Sequence, residues 1–468
     1  MLFSPKNILH LDGAYHIPAT VEARAGAALC EPIFAELWQG FTHRTSNISV
    51  SPTDKNVLFI GDAEPLSTEG ASYAINVTPR GIAISAEDRI GLIHGFLALL
   101  DRIRMTDGEE GGTQIDAFAL RETPKMKNRM VHFCVFPETE LWELERFIRF
   151  AGALRFSHIV LEFWGMLRYD VMGELAWKHA YSKEEIRPLI TLAKTLGLSV
   201  IPMFNHWGHA AASRVMHGKH VVLNQNPALA SYFNEDGWCW DVQKQKVRAL
   251  LRAVREELCE LCGEGEYFHI GCDEACSFEW TKAGMDTITD FINEVAAELR
   301  KNGRRAIIWG DMFIYREEYF DSKKEYAANA PSSEDAKYMR DRLDHNILIA
   351  DWQYAVPNAP VETAKIFCEE GFDTLLCPWD GYHGKNADAC IKTADEYALF
   401  GVMHTTWHTL SKGFPYILHT ALGCFNGSRV PLVMLHSTAA AFLRKVYFTG
   451  GDYERSGWSK TQIGDIYR

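Results

Sequence analysis

From residue 129 onwards, the chain alternates short apolar runs with longer segments whose apolar residues recur at helical spacing. Each run has the length of a buried strand, and the segments between runs are long enough for helices. The runs lie at 130–136, 158–163, 199–204, 267–270, 305–309, 346–352, 374–379 and 401–407. Helical patterns lie between them, such as 139–154, 183–195, 242–262, 287–302, 361–370 and 387–399, and residues 414–447 follow the last run. Eight strand units with following helices predict an α/β fold, a (β/α)8 TIM barrel.

Residues 1–124 predict a separate small α/β domain that supports a barrel domain of residues 125–468, which includes a helical extension at its C-terminal end. Runs at 72–77 and 82–85 flank a Thr-Pro-Arg-Gly turn, the pattern of a β-hairpin, and residues 89–104 have helical spacing. Acids, histidines and nucleophiles do not cluster in this part of the sequence. We therefore assign the catalytic chemistry to the barrel.

Composition narrows the range of partners. The net charge of −13 disfavours nucleic acid and anionic membranes, so a neutral ligand fits better. The N-terminus lacks the pattern of a secretory signal, and no apolar run approaches the roughly 18 residues of a membrane span. We therefore expect a cytoplasmic protein that contacts no membrane. The oligomeric state stays open.

The cysteine pattern does not favour a metal site, and we expect no cofactor. Eleven of them, an odd number scattered along the chain, indicate reduced thiols rather than a disulfide framework. Cys259 and Cys262 precede Cys272 and Cys276 at a spacing that loosely suggests zinc. The first pair ends a helical pattern and the second pair follows a strand, which favours buried thiols.

Two adjacent carboxylates, Asp273 and Glu274, directly follow the fourth apolar run. Gly271 ends that run, so the acids are expected at the carboxyl end of the sheet, where barrels carry their chemistry. Neighbours in extended chain point in opposite directions, so the two acids can address different atoms of one substrate. A solvated loop is the alternative interpretation of such a pair.

Tryptophans indicate the kind of ligand. Six of them end or closely follow a predicted strand: Trp164, Trp207, Trp309, Trp352, Trp379 and Trp407. Placed around one rim, these rings would form an aromatic cup whose flat faces suit the C–H faces of sugars. Carboxylates beside such a cup predict a sugar pocket.

These motifs resemble those of glycoside hydrolase family 20, the exo-β-N-acetylhexosaminidases, over nearly the whole chain. The family's His-x-Gly-x-Asp-Glu motif corresponds to residues 269–274, and its Pro-x-x-Asp-x-x-Gly-His pattern to residues 202–209. Its strand-end tryptophans are matched by Trp309, Trp352 and Trp407. An arginine before its first strand is matched by Arg129, and its small first domain resembles residues 1–124.

The chain also departs from the family pattern. Asn205 replaces the aspartate after the third strand, and residues 162–165 replace an acidic loop after the second. The carboxylate expected two residues after Trp407 is a threonine. The resemblance is therefore to a divergent branch whose choice between GlcNAc and GalNAc, and whose aglycone, stay open.

The resemblance implies a retaining, substrate-assisted hydrolysis through an oxazolinium intermediate, in which the sugar's own 2-acetamido oxygen is the nucleophile. Glu274 then acts as general acid and base, and Asp273 holds the acetamido N–H and stabilises the intermediate. Tyr382, or failing it Tyr354, orients the acetamido oxygen.

Further residues are implied to bind the substrate, an oligosaccharide or small molecule with a terminal N-acetylhexosamine. They are Arg129, His209, Trp309, Trp352, Tyr354, Trp379, Asp380 and Trp407. The alternative for Arg129 is a structural salt bridge at the bottom of the barrel.

Two other classes of function remain open. His206, His209, His269 and Asp273 could ligate zinc in a metal-dependent hydrolase. A non-catalytic sugar-binding protein on the same scaffold would keep the tryptophans without needing both acids.

Overall fold

The computed structural model describes residues 2–5, 7–51, 55–106, 112–212, 221–223, 226–235, 237–276, 278–318, 326–407 and 410–447. These residues form an N-terminal sheet domain and a closed barrel. Within the described ranges, no helix combines the length and the apolar composition needed to cross a bilayer.

The N-terminal domain is one eight-stranded sheet in the order β1-β8-β5-β6-β4-β2-β3, with β7 paired to β8. Its strands are β1 Ile8–His16, β2 Thr20–Ala25, β3 Thr45–Val50, β4 Val57–Gly61, β5 Tyr73–Thr78, β6 Gly81–Ala86, β7 Arg104–Thr106 and β8 Gly112–Glu122. The predicted hairpin is confirmed, because β5 and β6 pair antiparallel through Thr78 and Gly81. Its helices are α1 Pro32–Thr42 and α2 Arg89–Leu100.

Helix α2 joins the two domains. It begins where Asp88 accepts a hydrogen bond from the backbone N–H of Gly91 at 2.7 Å, and it is buried on nearly all sides. Its N-terminal Arg89 donates to the carbonyl oxygens of Lys194 and Thr195 in the barrel domain. The sheet domain therefore contacts the barrel domain through this helix.

The eight predicted strands form a closed, parallel barrel, as expected of a TIM barrel. They are β9 Asn128–Val135, β10 His158–Phe163, β11 Ser199–Met203, β14 Tyr267–His269, β15 Arg305–Trp309, β16 Leu348–Asp351, β17 Thr374–Leu376 and β18 Gly401–His404. In the loop after β11, β12 Ala211–Ala212 pairs with β13 Val221–Val222.

One helix or more follows every barrel strand. The helices are α3 Leu141–Ala153, α4 Lys183–Thr195, α5 Gln245–Cys262, α6 Lys282–Lys301, α7 Ser333–Arg340, α8 Thr363–Glu369, α9 Lys385–Glu396, α10 Leu410–Asn426 and α11 Leu435–Val446. Helix α4 starts at a capping box in which Ser182 and Glu185 exchange hydrogen bonds. The short α7 is polar and carried no clear periodic signal in the sequence.

Alternate residues of the strands fill the barrel interior. The buried apolar layer consists of Met130, Val160, Ile201, Met203, Ile307, Trp309, Leu348, Ala350, Leu375, Cys377 and Met403. Because this layer closes the barrel, a ligand is confined to the loops at the carboxyl ends of the strands.

Candidate active site

The fourth barrel strand ends in a turn that presents two carboxylates. β14 stops at His269, and Gly271 follows with φ +67°. A Cβ atom at Gly271 would lie 1.9 Å from Asn205 Oδ1, so only glycine lets the chain pass this close to the loop after β11. Glu274 is not glycine, yet its backbone is also left-handed, with φ +47°. Such a conformation costs about 1–2 kcal/mol, and strained backbone of this kind clusters at active sites.

Asp273 is a buried carboxylate held by two side chains. Its Oδ1 accepts a hydrogen bond from Asn205 Nδ2 at 2.8 Å, and its Oδ2 lies 3.1 Å from His209 Nδ1. The Asn205 amide also lies 3.2 Å from the carbonyl oxygen of Gly208. An amide can donate where a carboxylate cannot, so an asparagine at position 205 is compatible with an ionised Asp273. The two contacts fix the direction of the Asp273 carboxylate.

His209 connects the two acids. Its Nδ1 lies 3.1 Å from Asp273 Oδ2 and 3.3 Å from Glu274 Oε2. The imidazole stacks on the indole of Trp238, with ring centroids 4.7 Å apart and planes inclined by 14°. The Glu274 side chain is 37% exposed, whereas that of Asp273 is 7% exposed. One acid is therefore enclosed, and the other can exchange a proton with a ligand or with water.

Asp311 is a third carboxylate in contact with this turn. It lies in a short 3-10 helix after β15 and is 1% exposed. Its Oδ2 accepts from the backbone N–H of Glu274 at 2.9 Å and from Asn329 Nδ2 at 2.7 Å. Its Oδ1 accepts from the indole N–H of Trp352 at 3.0 Å. Burial, together with the nearby charge of Asp273, raises the pKa of Asp311 to about 7.

Aromatic rings line the same end of the barrel in two groups. The ring pairs and their centroid distances are Trp309–Trp407 at 5.7 Å, Trp164–Trp407 at 6.3 Å, Trp352–Tyr354 at 5.1 Å and Tyr354–Trp379 at 5.3 Å. The indole N–H of Trp407 donates to Tyr354 Oη at 2.6 Å and joins the two groups. Trp207 differs, because its ring packs edge-on against Phe278 at 4.8 Å in the larger hydrophobic core. Five of the six strand-end tryptophans therefore share this aromatic wall.

Tyr354 is the phenol that the structure places at this wall. Its Oη accepts from Trp407 and from Thr405 Oγ1, the latter at 3.0 Å. Burial raises the pKa of Tyr354 well above its ordinary value, so the phenol keeps its proton. The side chain of Tyr382 lies outside the described part of the structure, although its backbone belongs to the short helix Gly381–Gly384.

Trp379 and Asp380 occupy the loop after β17, and both are half-buried. The backbone N–H of Trp379 donates to Asn386 Oδ1 at 3.2 Å. The Asn386 amide in turn donates to the carbonyl oxygen of Gln353 at 2.8 Å. This side chain fixes the loop that carries Trp379 against the loop that carries Tyr354.

Arg129 does not reach this site, which corrects the expectation that it binds substrate. It is the second residue of β9, at the amino-terminal end of the barrel. Its guanidinium donates to the carbonyl oxygens of Met126, Lys127 and Arg155 at 2.6–3.0 Å. It also lies 5.2 Å from the ring centroid of Phe425. A side chain fixed by backbone carbonyls at the bottom of the barrel is structural, although its partners are carbonyls and not the acid of a salt bridge.

Potential metal ligands meet at two places among the described residues. One group is His209, Asp273 and Glu274, and the other is His132, Cys134 and Glu162. The second group lies inside the barrel, where His132 Nε2 is 2.8 Å from Glu162 Oε2 and the Cys134 thiol donates to the same oxygen at 3.3 Å. These contacts are those of a buried hydrogen-bond network.

The four residues of the zinc hypothesis are not all brought together. His209 contacts Asp273. His206 instead has its Nδ1 2.6 Å from the carbonyl oxygen of Phe204, and His269 packs against Trp309 with ring centroids 4.4 Å apart. The hypothesis therefore rests on two of its four ligands.

Two residues of the site were missed in the sequence. Asp311 follows Trp309 and Gly310 at the end of β15, so the same strand-end argument that selected Asp273 could have selected it. Trp238 lies in the long segment between β11 and α5, and its indole N–H donates to the carbonyl oxygen of Glu274 at 2.6 Å. No local pattern marks Trp238, because its contact with Glu274 joins residues that are 36 positions apart in the chain.

Residues 160–383 match the family model described as glycosyl hydrolase family 20, catalytic domain. Lacto-N-biosidase of Bifidobacterium bifidum is 22% identical over 318 residues, covering 63% of this chain and 27% of that protein. Hexosaminidase D of Bos taurus is 32% identical over 123 residues, covering 26% of this chain and 33% of that protein. A beta-hexosaminidase of Akkermansia muciniphila is 23% identical over 56% of this chain and 60% of its own length. The matched region thus spans less than two thirds of each of these relatives.

Solved structures are similar over nearly the whole chain. Flavobacterium johnsoniae chitobiase superposes with a TM-score of 0.69 at 14% identity, covering 100% of this chain and 74% of that one. A mutant Streptomyces plicatus beta-hexosaminidase in complex with product GlcNAc superposes with a TM-score of 0.67 at 17% identity, covering 98% of this chain and 95% of that one. At these identities the similarity establishes the fold, a sheet domain followed by a barrel.

Proposed function

The barrel of this chain belongs to glycosyl hydrolase family 20, and from that premise we propose that the protein is an exo-acting β-N-acetylhexosaminidase. It would remove terminal β-linked GlcNAc or GalNAc from an oligosaccharide or small glycoside. The observation that carries the proposal is the pair Asp273 and Glu274, joined by His209 at the carboxyl end of the barrel. The adjoining aromatic wall supplies the flat apolar surface that a sugar ring requires.

The exposures of the two acids support different roles. Asp273 is enclosed and held by Asn205 and His209, so its charge is preorganised and cannot turn away. Such a charge suits the stabilisation of a positive oxazolinium intermediate and of the acetamido N–H. Glu274 is more exposed, so it can give a proton to the leaving oxygen and then take one from water. No protein side chain attacks the sugar in this mechanism, because the acetamido oxygen is the nucleophile.

His209 supports this division of roles. Two adjacent carboxylates repel each other, and a single Nδ1 within 3.3 Å of both lowers that repulsion. The stack on Trp238 fixes the plane of the imidazole. We assign His209 to hold the two acids in their relative positions as well as to border the sugar.

Tyr354 is our choice to orient the acetamido oxygen, with Tyr382 as the alternative. The Trp407 indole N–H uses a lone pair of Tyr354 Oη and leaves the phenol hydrogen available for a ligand oxygen. Trp352 and Trp407, which are half-buried, would enclose the acetyl methyl and the sugar face, and the fully buried Trp309 would pack against Trp407. Asp380 and Trp379 would bind at the rim, where both are half-buried.

The test is turnover of paired aryl β-glycosides of GlcNAc and GalNAc, with the corresponding glucoside as control. We expect hydrolysis of one or both N-acetylated substrates and almost none of the glucoside. A thiazoline mimic of the cyclised intermediate should inhibit competitively and far more tightly than the product sugar. Binding of the sugars without turnover of any substrate would favour a sugar-binding protein. Turnover that a chelator abolishes would favour the metal-dependent hydrolase.

A further inference from the structure

Asp311 receives hydrogen bonds from three separate segments of the chain. They come from the backbone N–H of Glu274 in the loop after β14, from Asn329 before α7, and from the indole of Trp352 after β16. The three distances are 2.9, 2.7 and 3.0 Å. The carboxylate thus connects the proposed general acid to the aromatic wall.

The contact with Glu274 fixes an unfavourable backbone. Glu274 adopts φ +47°, a conformation that non-glycine residues rarely keep without support. Its N–H donates to Asp311, and its carbonyl oxygen accepts from the indole of Trp238 at 2.6 Å. Both peptide groups of Glu274 are therefore held, and the direction of its side chain follows from them.

The contact with Trp352 fixes the wall. The indole edge is held at Asp311 Oδ1, and its ring packs against Tyr354 at 5.1 Å between centroids. Tyr354 in turn accepts from Trp407. A displacement of Asp311 would therefore move the acid and the surface against which the sugar rests.

The carboxylate is costly at this position. It is almost completely buried and close to two further acids, Asp273 and Glu274, and these surroundings raise its pKa to about 7. All three of its partners are N–H donors, which a carboxylate matches and the NH₂ group of an asparagine would oppose. A residue serving packing alone would not need an ionisable group beside two other acids.

We propose that Asp311 is a positioning residue of the hydrolysis, which aims Glu274 at the glycosidic oxygen of a sugar seated against Trp352. This inference rests on the proposed function. It predicts that loss of Asp311 weakens proton donation more than it weakens sugar binding.

Asp351 provides a matched control. It is also fully buried, lies at the end of the neighbouring strand β16, and has a pKa raised by burial to about 6. Its partners are Thr363 Oγ1 at 2.6 Å and Gln353 Nε2 at 2.8 Å, neither of which belongs to the proposed catalytic pair. Substitution of Asp351 should therefore perturb stability without changing how Glu274 is aimed.

The experiment compares Asp311→Asn with Asp351→Asn on aryl N-acetylhexosaminides whose phenols range from strongly to weakly acidic. Because a misplacement of about 1 Å can cost on the order of 100-fold, we expect Asp311→Asn to lower kcat on the order of 10- to 100-fold for weakly acidic phenols. Substrates with strongly acidic phenols need little protonation of the leaving group, so their kcat should fall less. The dependence of kcat on phenol pKa should therefore be steeper in the variant than in wild type. Asp351→Asn should keep the wild-type dependence.

Asn329→Ala is a second variant that keeps the test decisive if Asp311→Asn does not fold. Asn329 is exposed and shares Asp311 Oδ2 with the Glu274 amide, so its loss should steepen the same dependence less strongly. If kcat depends on phenol pKa equally in wild type, Asn329→Ala and any folded Asp311→Asn, the positioning role of Asp311 is overturned while the proposed function still stands. A wild type that hydrolyses none of these glycosides would overturn the proposed function and this inference with it.

Discussion

The two ends of the barrel both bury charged side chains, but they satisfy those charges in opposite ways. At the amino-terminal end, Arg129 donates to three backbone carbonyls, and the Arg155 guanidinium lies 3.6 Å from the ring centroid of Phe3. At the carboxyl end, Asp273 and Glu274 lie on a single turn in contact with Asp311. The turn carries two non-glycine residues with left-handed backbone, Cys272 and Glu274.

This difference separates residues that stabilise the fold from residues that take part in the chemistry. Backbone carbonyls and aromatic rings surround the charges of the first end, and Arg155 is also paired with the Glu122 carboxylate at 3.8 Å, so these buried charges are already satisfied within the protein. The second end keeps a half-exposed acid beside a buried one, an arrangement that costs stability and makes sense only with a substrate. Substitutions at the carboxyl end should therefore reduce rate, and those at the amino-terminal end should reduce the free energy of unfolding.

Glu274→Gln should produce the largest loss of rate. Removing a general acid costs on the order of 10²- to 10⁴-fold for substrates with poor leaving groups. Activated aryl substrates should lose much less, because their leaving groups need little protonation. Steady-state rates on both kinds of substrate measure the difference. Equal losses of rate on both kinds of substrate would show that Glu274 is not the general acid.

Asp273→Asn should be the next largest effect, a fall in kcat on the order of 10²- to 10³-fold from loss of one preorganised charge. The tight binding of the thiazoline mimic should weaken as well, because that mimic needs the same charge. Inhibition constants measured on the purified variant provide the check. A normal rate in the folded fraction, with only lower stability, would mean that Asp273 merely supports its loop.

Asp311 should make stability fall as the pH rises from about 4 to about 7. Its pKa is raised from 3.8 to about 7 in the folded chain, so over this interval the folded state holds a proton that the unfolded state has lost. The slope from one such group is at most about 1.4 kcal/mol per pH unit. Denaturant unfolding of wild type and Asp311→Asn across this range should show a flatter dependence in the variant. Superimposable profiles would contradict the assignment.

Arg129→Met should have the smallest effect on rate, because the residue lies at the opposite end of the barrel. The substitution leaves the buried carbonyls of Met126 and Arg155 and the partly buried carbonyl of Lys127 without this donor, which should cost about 1–3 kcal/mol of unfolding free energy. Denaturant unfolding measures that loss, and kcat per folded molecule should stay at the wild-type value. A selective rise in KM would indicate that Arg129 contributes to binding the sugar.

The same comparison explains what the sequence could reveal. The eight strands were predictable because buried parallel strands are short apolar runs, and Asp273 and Glu274 because a glycine places them at a strand end. The prediction that Arg129 binds substrate was wrong because a position shared with the family does not determine where the side chain points. Here the neighbouring backbone carbonyls determine its direction. The expectation that Trp207 lies on the rim was also wrong, since its ring packs against Phe278.

Residues whose roles depend on distant segments could not be read from local patterns. Trp238 contacts Glu274 although the two residues are 36 positions apart in the chain. The N-terminal strands β1, β2 and β3 are half-exposed and lack a continuous apolar run, so their place in the sheet depends on pairing with other strands.

The most direct test of the account concerns the nucleophile. Aryl glycosides of glucosamine carrying N-acetyl, N-fluoroacetyl, N-difluoroacetyl and N-trifluoroacetyl groups differ in how strongly the amide oxygen can attack. If the substrate supplies its own nucleophile next to Asp273 and Glu274, kcat/KM should fall steeply with each added fluorine. Rates independent of fluorination, together with a covalent sugar adduct trapped on either acid, would contradict the mechanism.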